Sequence, residues 1–532
     1  MEKHTAVETS VEDGKVMETD SQGIPTSFVG MKLEDVLPKM EKPWYRTPHL
    51  IKLNFVLLAA LLMPATNGFD GSMVNGLQTL PVWQENFNHP KGGILGLLAQ
   101  ANTIGFVAAL PISGWIADRF GRRVPIRIGS SIMIVGAALQ TASQNIGMFI
   151  AARIILGFGL SIASIAAPAL IAELSYPTHR GKITAMFNTS WFFGAIIAAW
   201  STFGTFHLPN SWSWRIPSAI QAAPSLIQLC LSFFVPESPR WLINNDRREE
   251  AHNILAKYHA DGDIASPLVM FEMSEISAAI RDEKVQNATT YKAFFATAGN
   301  FRRLFIIVVL GIMQQASGNG LISFYLALIL KQIGITDPTT QNLLNGGLQI
   351  FNYATALSSA FSVDRFGRRT LMLFAFVGMF FSYLLWTILS ALNEQGGYSH
   401  TGLGIGVVVM IFAFNFFYAV GLTPIPYLYL TEVLPFSLRA KGMMISSFSG
   451  LAVGVTGGFV NAIALESVGW KFYIFYVVML AIEFILAYLF FPETKNRSLE
   501  NIAEVFDGKD ALVGDLDKEA SYVHKDVLAM QH

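Results

Sequence analysis

From about residue 52 onward the chain alternates long apolar runs with short polar intervals. The runs lie near 52–74, 94–117, 124–143, 147–171, 183–206 and 215–235, then near 303–331, 341–362, 370–391, 403–430, 443–466 and 471–491. Each approaches or exceeds the roughly 20 residues that a helix needs to cross a hydrocarbon core. A lone helix satisfies its own backbone hydrogen bonds in lipid, which an open strand does not. The pattern therefore predicts twelve membrane-spanning helices, six on each side of a charged interval. The predicted organisation is a disordered cytosolic tail over 1–50, an N-terminal six-helix bundle over 51–235, a cytosolic helical linker over 236–301, a C-terminal six-helix bundle over 302–492 and a cytosolic tail over 493–532. In the linker, Asn244 to Ala260 and Phe271 to Lys284 are rich in helix formers. The first tail is polar and lacks the short apolar core and cleavage site of a signal peptide. The expected fold class is an all-α membrane protein.

Composition sharpens this picture. Of 532 residues 52% are hydrophobic and 14% charged, against roughly 25% charged in an ordinary soluble domain, so a soluble multidomain enzyme is excluded. With 37 basic and 38 acidic residues the net charge of −1 supplies no broad basic surface for nucleic acid. Basic residues are sorted by loop: Arg119, Arg122, Arg123 and Arg127 lie between the second and third runs, and Arg240, Arg247, Arg248, Lys257, Arg302 and Arg303 in or beside the central interval. The alternate loops hold little beyond Lys91, Lys331 and Lys471. Positive charge stays on the cytosolic side, so both termini and the linker are expected there, in a multi-pass plasma-membrane protein. The single cysteine, Cys230 between Leu229 and Leu231, reads as a small core hydrophobe. No P-loop, zinc spacing or Ser/His/Asp arrangement stands out, so no enzyme activity, metal or cofactor is expected.

The two sets of six repeat one another. Asp118-Arg-Phe-Gly-Arg-Arg123 returns as Asp364-Arg-Phe-Gly-Arg-Arg369, Glu173 with Arg180 returns as Glu432 with Arg439, and Pro236-Glu237 returns as Pro492-Glu493, all at nearly one spacing. Two similar bundles rocking about a site at the membrane midplane are the basis of alternating access. The repeated charges, Asp118, Arg122, Glu173 and Arg180 in one half and Asp364, Arg368, Glu432 and Arg439 in the other, fall at the inner ends of spans. They read as a gate: pairs that bridge the bundles when the inner side is shut and separate when it opens bias the conformational equilibrium without touching substrate.

Asp70 is different, because it lies deep within the first run, in Asn67-Gly-Phe-Asp70-Gly. An intramembrane carboxylate is costly unless paired or protonated, and marks a functional site by default. Arg153, near the start of the fourth run, is its natural partner. Burial favours proton uptake by the acid and a nearby guanidinium favours release, so a change in their separation would switch proton affinity. Glu483 in the twelfth run reads as a structural partner, and Gly157-x-Gly159 and Gly68-x-x-Gly71 as close helix contacts rather than nucleotide loops.

The motifs Gly114-x-x-x-Asp118-Arg-x-Gly-Arg-Arg123, its second copy at 364–369, Pro236-Glu-Ser-Pro-Arg-Trp241 and Pro492-Glu-Thr-Lys495 resemble those of the sugar porters of the major facilitator superfamily, over about 52–500. Gln314-Gln-Ala-Ser-Gly-Asn-Gly320 and the stretch from Tyr176-Pro-Thr-His-Arg-Gly181 through Trp191 to Trp200 are most similar to its fungal lactose and cellodextrin permease-like branch. The resemblance implies that Asp70 and Arg153 form a proton-coupling pair, that the repeated charges gate, and that Gln314, Gln315 and Asn352 bind sugar, with Asn188 replacing a fifth-span glutamine. Amides suit sugar hydroxyls because they donate and accept at once, and Asn319, four residues beyond Gln315, shares a face with it on a continuous helix. The sequence departs from the family at Gly320, at Tyr427 after Pro424-Ile-Pro426, and at Leu451, the last two replacing tryptophans. Those losses leave room for a second sugar ring, and Trp191 and Trp200 are candidates for stacking on one. The expected activity is import of a disaccharide such as lactose or cellobiose by proton symport. Transport of a hexose, polyol, quinate or fungal metabolite, and sugar sensing without transport, stay open, as does the oligomeric state.

Overall fold

A computed structural model describes residues 8–12, 15–19, 25–29, 33–38, 43–286, 291–397, 401–423, 425–495 and 505–506. In the first half the long helices are α1 (Pro48–Thr79), α2 (Gly92–Phe120), α3 (Arg123–Thr141), α4 (Ile146–Leu174) and α5 (Arg180–Thr205). The sixth passage is split into α6 (Trp212–Ile220) and α7 (Ala222–Ser232). Pro224 has no N–H for the Ile220 carbonyl, which weakens the ladder at the intervening Gln221. The central segment carries α8 (Arg248–His259) and α9 (Pro267–Gln286), as its helix formers predict. In the second half follow α10 (Ala298–Ala316), α11 (Asn319–Gln332), α12 (Pro338–Phe366), α13 (Arg368–Gln395), α14 (Thr401–Gly421), α15 (Ile425–Val433), α16 (Phe436–Val468) and α17 (Tyr473–Phe490). The pairs α6–α7, α10–α11 and α14–α15 each make one passage, so the twelve apolar runs become twelve helical passages. In the polar tail, expected to be disordered, β1 (Glu8–Glu12), β2 (Lys15–Thr19) and β3 (Pro25–Val29) pair antiparallel in the order β1-β2-β3. Valine and threonine, good strand formers, recur in these segments.

The chain divides into two compact units, one of Met1–Asp70, Ala101–Gly194 and Arg215–Gln286, the other of Gly71–Gln100, Ala195–Trp214 and Asn287–His532. The division is not the one predicted at the linker, since residues 71–100 and 195–214 group with the second half. In the first unit, Leu53, Leu57, Ile126, Met133, Leu156 and Leu170 form a buried core that also takes in Tyr258 and Leu268 of the central segment. Small residues set helix spacing there. A Cβ on Gly157 would lie 1.8 Å from the Asn102 carbonyl oxygen, and one on Gly105 2.0 Å from that of Ile154, so α2 and α4 touch backbone to backbone. Gly157 is thus the helix contact the sequence suggests. In the second unit the core is aromatic, with the Trp386 ring 4.7 Å from those of both Tyr383 and Tyr473. Cys230, read as a core residue, is instead exposed on α7.

Candidate functional site

Asp70 and Arg153 meet as expected. Asp70 is 3% exposed and Arg153 fully buried, and the guanidinium donates twice, Nη1 to Oδ1 at 3.1 Å and Nη2 to Oδ2 at 2.9 Å. Two amides complete the ring: Asn102 Nδ2 donates to Oδ2 at 2.5 Å and Gln221 Nε2 to Oδ1 at 2.9 Å. Gln221 sits at the proline-weakened break between α6 and α7, and its own carbonyl accepts from Gln140 Nε2 at 3.2 Å. Each carboxylate oxygen therefore receives two hydrogen bonds, an arrangement that fits only the ionised acid. A protonated carboxyl would aim its hydrogen at one of the four donors. The four bonds tie Asp70 on α1 to α2 through Asn102, to α4 through Arg153 and to the α6–α7 break through Gln221. Taking the two charges out of water costs several kcal/mol per ion, in order of magnitude, and four donors offset that cost only while all are in place.

The repeated charges form two closed clusters of the same design. In the first unit Arg122 donates through Nε and Nη2 to the two Glu173 oxygens, both at 3.2 Å, and through Nη1 to the Ala117 carbonyl at 3.0 Å. Asp118, largely exposed, stands 3.7 Å from the same guanidinium. Glu237 accepts from the Arg122 and Arg123 backbone N–H groups at 2.7 and 3.4 Å, and the Ser238 hydroxyl donates to Glu173 at 2.5 Å. In the second unit Arg368 Nε donates to Glu432 at 3.0 Å, Glu493 accepts from the Arg368 and Arg369 N–H groups at 2.9 and 3.0 Å, and Thr494 takes the place of Ser238 with a 2.6 Å bond to Glu432. The turn glycines explain the motif: Gly121 and Gly367 have φ of 87° and 92°, and a Cβ on Gly121 would collide with Glu237. Burial works against the Arg122 charge, but the carboxylates of Glu173, Asp118 and Glu237 outweigh it and hold the guanidinium above its ordinary proton affinity. The bonds of Arg122 and Arg368 described here join helices of one unit each, where the sequence reading had such pairs bridging bundles. Arg180 is exposed and Arg439 half-buried; the Asp364 side chain lies outside the described residues. Sequence reading also missed His259, whose Nδ1 lies 2.7 Å from Glu272 and Nε2 3.1 Å from the Leu174 carbonyl, tying α8 and α9 to the end of α4 beside Glu173.

The amides of the second unit are less simply arranged than expected. Gln314 and Gln315 end α10, then Gly318, at φ 97°, breaks the helix before Asn319 starts α11. Gln315 and Asn319 are therefore not neighbours on one continuous helix, and the shared-face argument fails at that glycine. Gln315 lies over α16, its Oε1 only 3.3 Å from where a Cβ on Gly454 would sit, one turn from Leu451. The Tyr418 hydroxyl donates to the Gln314 carbonyl at 3.0 Å, and Asn319 accepts from Ser323 at 3.4 Å. Asn352 is buried and donates to Asn415 at 3.3 Å; Tyr427 is exposed on α15. The Asn188 side chain lies outside the described residues. α11 is kinked again at Tyr325, and the backbone groups freed there are recaptured by α1: Asn75 Nδ2 donates to the Ser323 carbonyl at 2.6 Å, Asn75 Oδ1 accepts from Leu326 N–H at 3.0 Å, and Gln78 donates to the Phe324 carbonyl at 2.8 Å. A broken helix persists in a membrane only when such groups are satisfied. Glu483, expected to have a structural partner, is buried with neither carboxyl oxygen hydrogen-bonded among the described residues.

Residues 55–506 match the family described as Sugar (and other) transporter, and the chain belongs to that family. It is 31% identical over 413 residues to the MFS-type transporter oryC of Aspergillus oryzae, covering 76% of each chain. To the high-affinity glucose transporter of Kluyveromyces lactis it is 28% identical over 483 residues, covering 86% of each. Among solved structures it is similar to the inward open conformation of the E. coli xylose transporter XylE, at 22% identity and a TM-score of 0.69, over 86% of this chain and 100% of that one. The fold is that of the major facilitator superfamily, an all-α membrane protein of twelve helical passages.

Proposed function

We propose that this chain is a plasma-membrane importer, its termini cytosolic, that carries a sugar inward together with a proton, and that the sugar is a disaccharide such as lactose or cellobiose. The Asp70 ring carries this reading: a buried carboxylate held by Arg153, Asn102 and Gln221 is a proton site that opens and closes with the helices bearing its donors. Asp70 and Arg153 couple the proton, while Gln314, Gln315, Asn319, Asn352, Asn188 and Tyr427 take the sugar. The arginine–carboxylate clusters at the inner helix ends set the gate, by fixing the helix ends that must move together. Support for proton coupling also comes from the fold neighbour whose structure is titled as a proton:xylose symporter. The larger substrate is favoured by Gln315 resting against Gly454, with leucine rather than an indole one turn away at position 451.

Uptake of labelled sugars in a yeast without its own sugar transporters tests the reading. Lactose or cellobiose is expected to be carried and to compete better than glucose. Leu451→Trp is expected to impair the disaccharide more than any monosaccharide, because a clash penalises only the ligand that reaches that wall. Good transport of glucose with no competition from either disaccharide would reject the substrate assignment.

A further inference from the structure

Along α12, Asn342, Asn345, Gln349 and Asn352 follow one another at three, four and three residues, the spacing that places side chains on one helix face. All four are more than nine-tenths buried, at 1%, 3%, 6% and 8% exposure. Each is partly committed: Asn342 donates to the Thr79 hydroxyl at 2.8 Å and to the Pro338 carbonyl at 3.0 Å, Gln349 to Asn345 Oδ1 at 3.4 Å, and Asn352 to Asn415 at 3.3 Å. Each also keeps a buried atom with no hydrogen-bond partner among the described residues, namely Asn342 Oδ1, Asn345 Nδ2, Gln349 Oε1 and Asn352 Oδ1. A helix in lipid gains nothing from a row of half-satisfied amides, so such a row persists where something polar meets it at another stage of the working cycle. Beside the row, the Trp200 indole lies against Gly346, where a Cβ would come within 3.2 Å of the ring, and the tryptophan remains partly exposed.

We propose that this amide row is a second hydroxyl-binding subsite, running from Asn352 toward the start of α12, that holds the second ring of an extended sugar with Trp200 as its apolar wall. The inference rests on the disaccharide reading above and assigns it residues. Three acceptor oxygens and one donor nitrogen match hydroxyls, which donate and accept from one atom. The ring next to Asn352 is shared by mono- and disaccharides. Asn345 and Gln349 meet only the longer ligand, and so set substrate length.

The test uses the full chain in transporter-deficient yeast, with unlabelled cellobiose and glucose competing against labelled cellobiose or labelled glucose, and melting temperatures of the purified variants in detergent. In Asn345→Leu and Gln349→Met the ratio of cellobiose to glucose inhibition constants is expected to rise about ten-fold, the loss of one to two neutral hydrogen bonds. Their melting temperatures are expected to fall only slightly, because each change removes a half-satisfied amide but leaves the other member of the Gln349–Asn345 pair without that 3.4 Å bond, and the double variant, which removes both partners, is expected to hold or rise. Asn352→Ala is expected to weaken both sugars together. An unchanged ratio in both variants would overturn the subsite while leaving disaccharide transport standing. A large fall in melting temperature with loss of all uptake in both would make the amides structural and overturn it as well. Wild-type protein that carries glucose but neither disaccharide removes the reading and the subsite together, and the wild type alone reveals that case.

Discussion

Asp70 and Arg153 were legible in the sequence because charge inside an apolar run is rare and costly enough to need a partner. Asn102 and Gln221 were not, although they supply half of the donors to the carboxylate. Amides are neutral, occur in many spans, and here come from 32 and 151 residues away, so nothing local marks them. The same blindness hid the α12 row, of which only Asn352 was singled out by resemblance, and the role of Gly318, whose left-handed backbone overrides the four-residue spacing from Gln315 to Asn319. The ring makes a residue-scale claim. A hydrogen bond to a charged group contributes roughly 1.5–3 kcal/mol, so Gln221→Met removes stabilisation of the ionised acid alone. The protonated form then gains relative to it, and uptake measured across external pH is expected to persist to more alkaline values than in the wild type. A shift to acid, or none, would mean that Gln221 does not act on Asp70.

At the level of elements, periodicity and apolar length recovered the passages well, because a spanning helix has to be long and apolar. It recovered breaks poorly. The interruption at Gln221 follows from Pro224, but the kink at Tyr325 depends on Asn75 and Gln78 of α1 capturing freed backbone groups, a tertiary compensation no local pattern announces. The arginine–carboxylate clusters repay their repetition in sequence, since Arg122 and Arg368 make the same kind of bonds to Glu173 and Glu432, and Glu237 and Glu493 cap the same turns. Arg122→Ala leaves Glu173 with Ser238 as its one described side-chain donor, at a cost of about 1–3 kcal/mol for a partly buried acid left short. That cost falls on the conformation in which the cluster is closed. The expected outcome is a lower uptake rate with equilibrium sugar binding to purified protein within a few-fold of wild type. A collapse of affinity would place these residues in the binding site instead of the gate.

For the whole molecule, family membership rests on residues 55–506 and the fold on similarity over 86% of the chain, so architecture is the firmest level. The division into units was the least legible feature, because residues 71–100 and 195–214 pack with the second half although they belong to the first by order. Such grouping reflects the packing of side chains like Asn75 and Trp200, which apolar length does not encode. The central claim at this scale is that sugar and proton move together through Asp70. External pH recorded while sugar is added to an unbuffered suspension of expressing cells tests it most directly. Alkalinisation is expected with the wild type and none with Asp70→Asn, which is also expected to stop accumulating sugar against a gradient. Undiminished accumulation by Asp70→Asn, with alkalinisation intact, would contradict the account.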